Sequence, residues 1–331
     1  MANISLKTEG KVLSDANKQI RMKALVKTQY FRDGVPLPLS FRFLATRLKK
    51  ARYNDFFRKA SHNTYEKQYS TSLFDALNCC KNIEIDFFDS ATLGFSEKPS
   101  YWYVRHLPFG GNDNCCTGSG GLASCLANVR SWSDGHIGHP VITVFLDKKQ
   151  AWGHPGEQRS PKDLDDLIKS CIPEEKLYRP YDLKESYNSL RQAAQDNAWL
   201  TMEELTNKII FVLTGGRVPG NHNETHNQYV KETGNDAVLF VAPDADENED
   251  VLKAPNQFGE AAADWVVFYN LKSGSESLAP LIHSKGYISR VWGADEDNAT
   301  YLKLINKNVH FIALHNYHVN NFNNGFIDGI I

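Results

Sequence analysis

The sequence has no run of about 18 apolar residues, so it offers no helix able to span a bilayer. Its six cysteines are Cys79, Cys80, Cys115, Cys116, Cys125 and Cys171. None falls in a Cys-x-x-Cys pair, which argues against the usual structural zinc sites. There is no Gly-x-Gly-x-x-Gly fingerprint, no phosphate loop and no Gly-x-Ser-x-Gly elbow; Gly110-Gly111 and Gly215-Gly216 are turn signals. Internal repeats and low-complexity tracts are missing too. Net charge is only -2, and the short basic run Arg47, Lys49, Lys50 and Arg52 reads as a solvated helix face. A nucleic-acid partner is therefore not expected. The opening residues Met1 to Leu6 lack a basic-then-apolar signal pattern, so we expect an intracellular protein or a mature form with an added methionine.

What is present is ordinary globular material. The chain has 331 residues, 41% hydrophobic and 23% charged, enough to bury a large core in a single domain over 1–331. The even cysteine count and the vicinal pairs favour disulfides over free thiols.

Apolar runs of strand length recur at 55–62, 83–88, 101–106, 141–147, 209–214, 237–241, 287–292 and 310–315, with a ninth at 265–269. Amphipathic stretches at 72–80, 160–170 and 298–305 lie between them. The second opens with Ser160-Pro161, a serine cap followed by proline at the first helical position. Such alternation predicts a parallel sheet, and about eight units predict a closed α/β barrel of the TIM (β/α)8 type, irregularities allowed. Either 237–241 or 265–269 supplies the sixth strand. In such barrels the chemistry sits where strands end, so the polar residues there are the candidates.

The first run ends Ser61-His62-Asn63-Thr64-Tyr65 and the second reads Ile83-Glu84-Ile85-Asp86-Phe87. The third ends Val104-Arg105-His106 and the fourth Leu146-Asp147-Lys148-Lys149. Glu84 and Asp86 are two apart, so on a strand they face one side, with Cα atoms roughly 6.6 Å apart. Two like charges pointing into a barrel are costly without a cation between them. An outward polar face would explain that pair alone. It does not explain two histidines, one asparagine and three carboxylates all ending successive strands. The oxygen-rich set suits a hard cation, calcium or magnesium, rather than zinc. Two histidines beside an anionic phosphodiester suit acid–base cleavage, and Lys149 or an arginine would balance charge.

These residues resemble a family. Ser61-His62-Asn63-Thr64-Tyr65, Ile83-Glu84-Ile85-Asp86, Arg105-His106, His139-Pro140-Val141-Ile142, Ile288-Ser289-Arg290-Val291-Trp292 and Ala313-Leu314-His315-Asn316 follow the order of phosphoinositide-specific phospholipase C, over about 53–318. The resemblance implies calcium and attack of the inositol 2-hydroxyl on the phosphodiester. It implies diacylglycerol and a cyclic inositol phosphate as products. By motif position, Asn63, Glu84 and Asp86 would bind calcium, with Asp147 as a further ligand. His62 would stabilise the phosphorane and His106 would protonate the diacylglycerol oxygen. Glu84 or Asp147 would take the 2-hydroxyl proton. Lys149, Arg290, Trp292 and Arg105 would contact the headgroup. A monomer acting at a membrane or micelle surface, secreted and without a protein partner, is implied as well.

The sequence departs from the family at three points. Asp86 stands where the calcium-independent bacterial enzymes place arginine, which favours a real metal site. Leu146 occupies the spacing of a eukaryotic glutamate, so Asp147 needs a one-residue shift. Trp292 replaces a tyrosine. The alternatives are a glycerophosphodiesterase or sphingomyelinase-type enzyme on the same barrel, or a non-catalytic barrel that binds inositol phosphates or lipid. Asn63, where glycerophosphodiesterases usually carry arginine, disfavours the first. The histidine pair disfavours the last. His136 with His139, His222 with His226 and His315 with His318 have ligand-like spacing but read as turn residues, and Phe109 and Trp152 read as loop packing.

Overall fold

The computed structural model describes residues 47–88, 102–106, 113–115, 121–153, 159–215, 224–253, 263–315 and 329–331. Ten strands occur among them: β1 (Phe56–Ser61), β2 (Asn82–Phe88), β3 (Tyr103–Val104), β4 (Ile142–Lys148), β5 (Ile209–Gly215), β6 (Leu239–Val241), β7 (Phe268–Lys272), β8 (Ile288–Trp292), β9 (Phe311–Leu314) and β10 (Gly329–Ile330). They form two five-stranded sheets, ordered β10-β1-β9-β8-β7 and β3-β2-β4-β5-β6. Within each sheet the barrel strands pair in parallel.

Two seams close the barrel without a continuous ladder. At one, β6 and β7 meet through the isolated parallel bridges Val241↔Val266 and Asp244↔Asn270. At the other, β1 and β2 are stitched by side chains. Asn82 Nδ2 donates to Lys59 O at 2.9 Å, Glu84 N to Thr64 Oγ1 at 2.9 Å and Asn63 N to Glu84 Oε2 at 2.8 Å. The barrel is therefore α/β as expected, and irregular.

Two expectations about strands change. The run at 101–106 is not a barrel strand: only Tyr103–Val104 is extended, and it pairs antiparallel with the end of β2. Both 237–241 and 265–269 contribute instead, as β6 and β7. The barrel thus keeps eight parallel strands, with β3 as an appendage at its mouth.

Between strands lie amphipathic helices. Ser160 caps the helix Pro161–Cys171, accepting from Asp163 N while the Asp163 carboxylate accepts from Ser160 N. At the N-terminal ends of the strands the interior is aromatic. Tyr53 packs 5.5 Å from Trp199 and 6.1 Å from Phe311, and Phe311 packs 5.1 Å from Phe145. Arg58 is buried there, its guanidinium 4.2 Å from the Tyr53 ring and its Nη2 donating to Tyr53 O at 2.7 Å.

Of the cysteines, Cys115 and Cys125 form a disulfide, Cys79 and Cys171 are free thiols, and the buried Cys80 turns its sulfur to the Lys59 and Asn82 carbonyls at 3.1 Å each. Cys116 lies outside the described residues. No helix among the described residues is long and apolar enough to cross a membrane.

Candidate active site

The strand pleat puts Glu84 and Asp86 on one face, and the β2–β4 register sets Asp86 beside Asp147. Asp147, rather than the buried Leu146 before it, therefore joins the cluster. Glu84, Asp86 and Asp147 offer oxygens that all lie within 4.8 Å of one another. Asn63 follows β1 with φ 52°, the left-handed region that asparagine tolerates better than most residues. This kink turns its backbone N–H onto Glu84 Oε2, and its side chain is buried.

Whether a cation fits can be read from unpaired oxygens. Oδ1 of Asn63, Oδ1 of Asp86 and Oδ1 of Asp147 are all buried without a hydrogen-bond partner. Buried acceptors of this kind are normally satisfied. Gly215, at φ +77°, makes room for one of them, since a Cβ there would lie 1.9 Å from Asp147 Oδ1. Four oxygen-bearing residues with three orphaned atoms fit a hard cation.

The surrounding charges are arranged around that need. Lys149 Nζ lies 2.9 Å from Asp86 Oδ2 and 3.3 Å from Asp147 Oδ2. Burial pulls its ammonium pKa down, but the charges of Asp147 and Asp86 outweigh that and hold it up. Burial also raises Asp86, yet Lys149 and the His106 hydrogen bond keep it below the usual carboxylate range. Asp147 has less compensation, and burial pushes it up to about 7.

The two histidines sit in opposite environments. His62 Nε2 is 3.5 Å from Glu84 Oε2; burial lowers its pKa to about 4 despite that carboxylate. His106 is half exposed, and its Nδ1 donates to Asp86 Oδ2 at 2.9 Å. That hydrogen bond raises its pKa.

The four expected headgroup residues divide. Trp292 is partly exposed beside His62, ring centroids 5.9 Å apart, and Lys149 lines the same mouth. Arg290 is only 1% exposed and is committed elsewhere: Nη2 pairs with Glu84 Oε1 at 2.7 Å and Nη1 donates to Asn270 Oδ1 at 2.7 Å. Arg105 alternates away from His106, its guanidinium packed 4.7 Å from the Phe88 ring and 4.9 Å from that of Tyr103. Arg290 is thus placed behind Glu84, and Arg105 against two aromatic rings.

Sequence reasoning missed Glu66, Tyr69 and Glu296, and gave Tyr65 no role beyond its place in the motif. Glu66 Oε1 is 4.0 Å from His106 Nδ1. Tyr65 is fully buried, and burial together with Asp86 pushes its hydroxyl pKa upward. His315 is brought in as a stacking partner of His62, at 4.3 Å. Tyr65 closes the Ser61–Tyr65 motif and Glu66 directly follows it, which was the available signal. His139 instead bonds Ser133 and the Pro140 carbonyl, and His136 stacks on Trp132. His226 is buried, and Trp152 packs inside with Nε1 donating to Thr225 O. His222, His318 and Phe109 lie outside the described residues.

An eight-stranded α/β barrel with an oxygen-rich cation site and two histidines at its mouth defines a metal-assisted barrel enzyme. The sequence profile described as phosphoinositide phospholipase C, Ca2+-dependent, matches residues 113–264. No curated relative matches by sequence. Among solved structures, a calcium-dependent phosphoinositol-specific phospholipase C from the Gram-negative bacterium Pseudomonas sp is 30% identical in one crystal form. That match covers 86% of this chain and 96% of the other, with TM-score 0.76. Its myoinositol complex matches at 28% identity and TM-score 0.78, covering 86% and 97%. A Ca2+-dependent phosphatidylinositol-specific phospholipase C from Streptomyces antibioticus shares the fold at 21% identity and TM-score 0.68, covering 85% and 99%. The chain belongs to the calcium-dependent phosphoinositide phospholipase C family.

Proposed function

We propose that this chain, as one domain, cleaves phosphatidylinositol to diacylglycerol and inositol 1,2-cyclic phosphate, then inositol phosphate, in a calcium-assisted reaction. The observation that carries the reading is the triad of orphaned Oδ1 atoms on Asn63, Asp86 and Asp147, beside a histidine pair with opposed protonation preferences.

Calcium held by Asn63, Glu84, Asp86 and Asp147 would lower the pKa of the inositol 2-hydroxyl and offset phosphate charge. One carboxylate of the pair Glu84 and Asp147 takes the 2-hydroxyl proton. Arg290, buried behind Glu84, fixes that side chain and balances its charge. His62 lies against Glu84 and contributes a ring N–H to the phosphoryl oxygens as charge builds there. His106, held through Nδ1 by Asp86, protonates the leaving diacylglycerol oxygen from its exposed side. Trp292 and Lys149 frame the headgroup, the indole against its apolar face.

The substrate is a lipid at a membrane or micelle surface, and the chain acts as a monomer. The Cys115–Cys125 disulfide supports a secreted enzyme, since such bonds persist in oxidising compartments.

Phosphorus NMR of the products tests the reading. A cyclic phosphodiester appearing before the monoester, from phosphatidylinositol and not from glycerophosphocholine or sphingomyelin, is expected. Direct formation of the monoester, or a preference for either other lipid, would overturn it.

A further inference from the structure

An asparagine amide has two chemically different ends, an acceptor oxygen and a donor nitrogen. A carboxylate ligand can present either oxygen to a cation, whereas Asn63 must present the right end. Something on the other side of the amide has to decide which end that is.

In this structure that neighbour is His315. Asn63 Nδ2 lies 3.5 Å from His315 Nε2. The opposite ring nitrogen, Nδ1, is 3.2 Å from Glu296 Oε1, and the His315 backbone N–H donates to the same oxygen at 2.5 Å. In the neutral ring, a carboxylate facing Nδ1 selects the tautomer with the proton there, which leaves Nε2 as an acceptor. An acceptor can face only the NH2 end of Asn63. The ring is also clamped, stacked 4.3 Å from His62 on one side and 4.3 Å from Tyr69 on the other. Its position is therefore fixed as well as its polarity. Across the amide, Asn63 Oδ1 is left buried and unpartnered.

We propose that Glu296 and His315 form a positioning pair that locks the Asn63 amide with its oxygen toward the cation. His315 acts through Asn63 and touches neither substrate nor cation. This inference rests on the calcium reading above. Support groups behind a metal ligand commonly change affinity by about 10–100-fold when removed.

Calcium titration calorimetry tests it, with chelator-treated thermal unfolding as the folding control. His315→Phe keeps the stack between His62 and Tyr69 but removes the acceptor, and should weaken calcium binding by about 10–100-fold. His315→Gln retains an acceptor oxygen and should recover most of that loss. In an Asn63→Asp background both ends of the side chain are oxygens, so adding His315→Phe should change affinity by less than about 3-fold. Equal losses in the two backgrounds, or no loss in His315→Phe, would overturn the positioning role while leaving the calcium site standing. A wild-type chain that binds no calcium would overturn both readings. If His315→Phe does not fold, Glu296→Gln against the same two Asn63 backgrounds decides the matter by the same pattern.

Discussion

The two ends of this barrel solve the problem of buried polarity in opposite ways. At the floor, Arg58 is as buried as any apolar residue, yet its charge is met by the Tyr53 carbonyl and by the Tyr53 and Phe311 rings. At the mouth, Glu84, Asp86 and Asp147 crowd together and leave oxygens unmet. The floor meets the Arg58 charge with a carbonyl and ring faces of the fold, whereas the mouth gathers three carboxylates close enough to share a cation. Stability and function are therefore expected to separate along the barrel axis.

The largest expected effect lies at the mouth. His106→Ala should reduce turnover of phosphatidylinositol by about 10²–10⁴-fold, the usual contribution of a general acid. On an inositol phosphodiester with a good leaving group the loss should be much smaller. Steady-state kinetics on the two substrates would show this, and equal losses would remove His106 from that role.

Floor substitutions should act on stability instead. Phe311→Ala deletes a buried ring packed against Tyr53 and Phe145, at a cost of about 3–5 kcal/mol. Asp147→Asn, measured by denaturant unfolding in chelator, should stay within about 1 kcal/mol of wild type because it relieves like charges. A reversed order of these two effects would break the comparison.

Protonation sharpens it further. His226 is fully buried, and burial lowers its pKa to about 4, against about 6.5 for an unfolded histidine. Burial holds His310 below its usual value as well. The folded state disfavours the charged ring, so this stability is fully present above about pH 6.5 and is lost as pH falls toward the folded value. For His226 the loss approaches about 3 kcal/mol at pH 4. Unfolding in chelator at pH 7 and pH 4.5 should show a smaller difference for His226→Phe than for wild type.

The smallest effect is ligand linkage. Calcium at about 100 times its dissociation constant should stabilise the wild type by about 2.7 kcal/mol. In Asp86→Asn that increment should largely vanish, while Phe311→Ala should keep it. Thermal unfolding with and without calcium reads all three.

The sequence shows its local features well. Period-two alternation places Glu84 and Asp86 together, and the serine–proline start marks the helix Pro161–Cys171. What it hides is non-local or short. A two-residue strand such as Tyr103–Val104 has no period to detect, so its antiparallel pairing was out of reach. The one-residue spacing difference at Asp147 became meaningful only through its register with Asp86. Nothing in the sequence signals that Arg290 pairs with Glu84, 206 positions away. Glu296 belongs to no motif, and only the fold brings it to His315.

The most direct test is release of water-soluble inositol phosphate from phosphatidylinositol micelles, first with calcium and then with excess chelator. Turnover should yield the cyclic product with calcium, stop with chelator and return when calcium is restored. Turnover that survives chelation would contradict it, because the unpaired oxygens of Asn63, Asp86 and Asp147 would then serve no metal in the reaction.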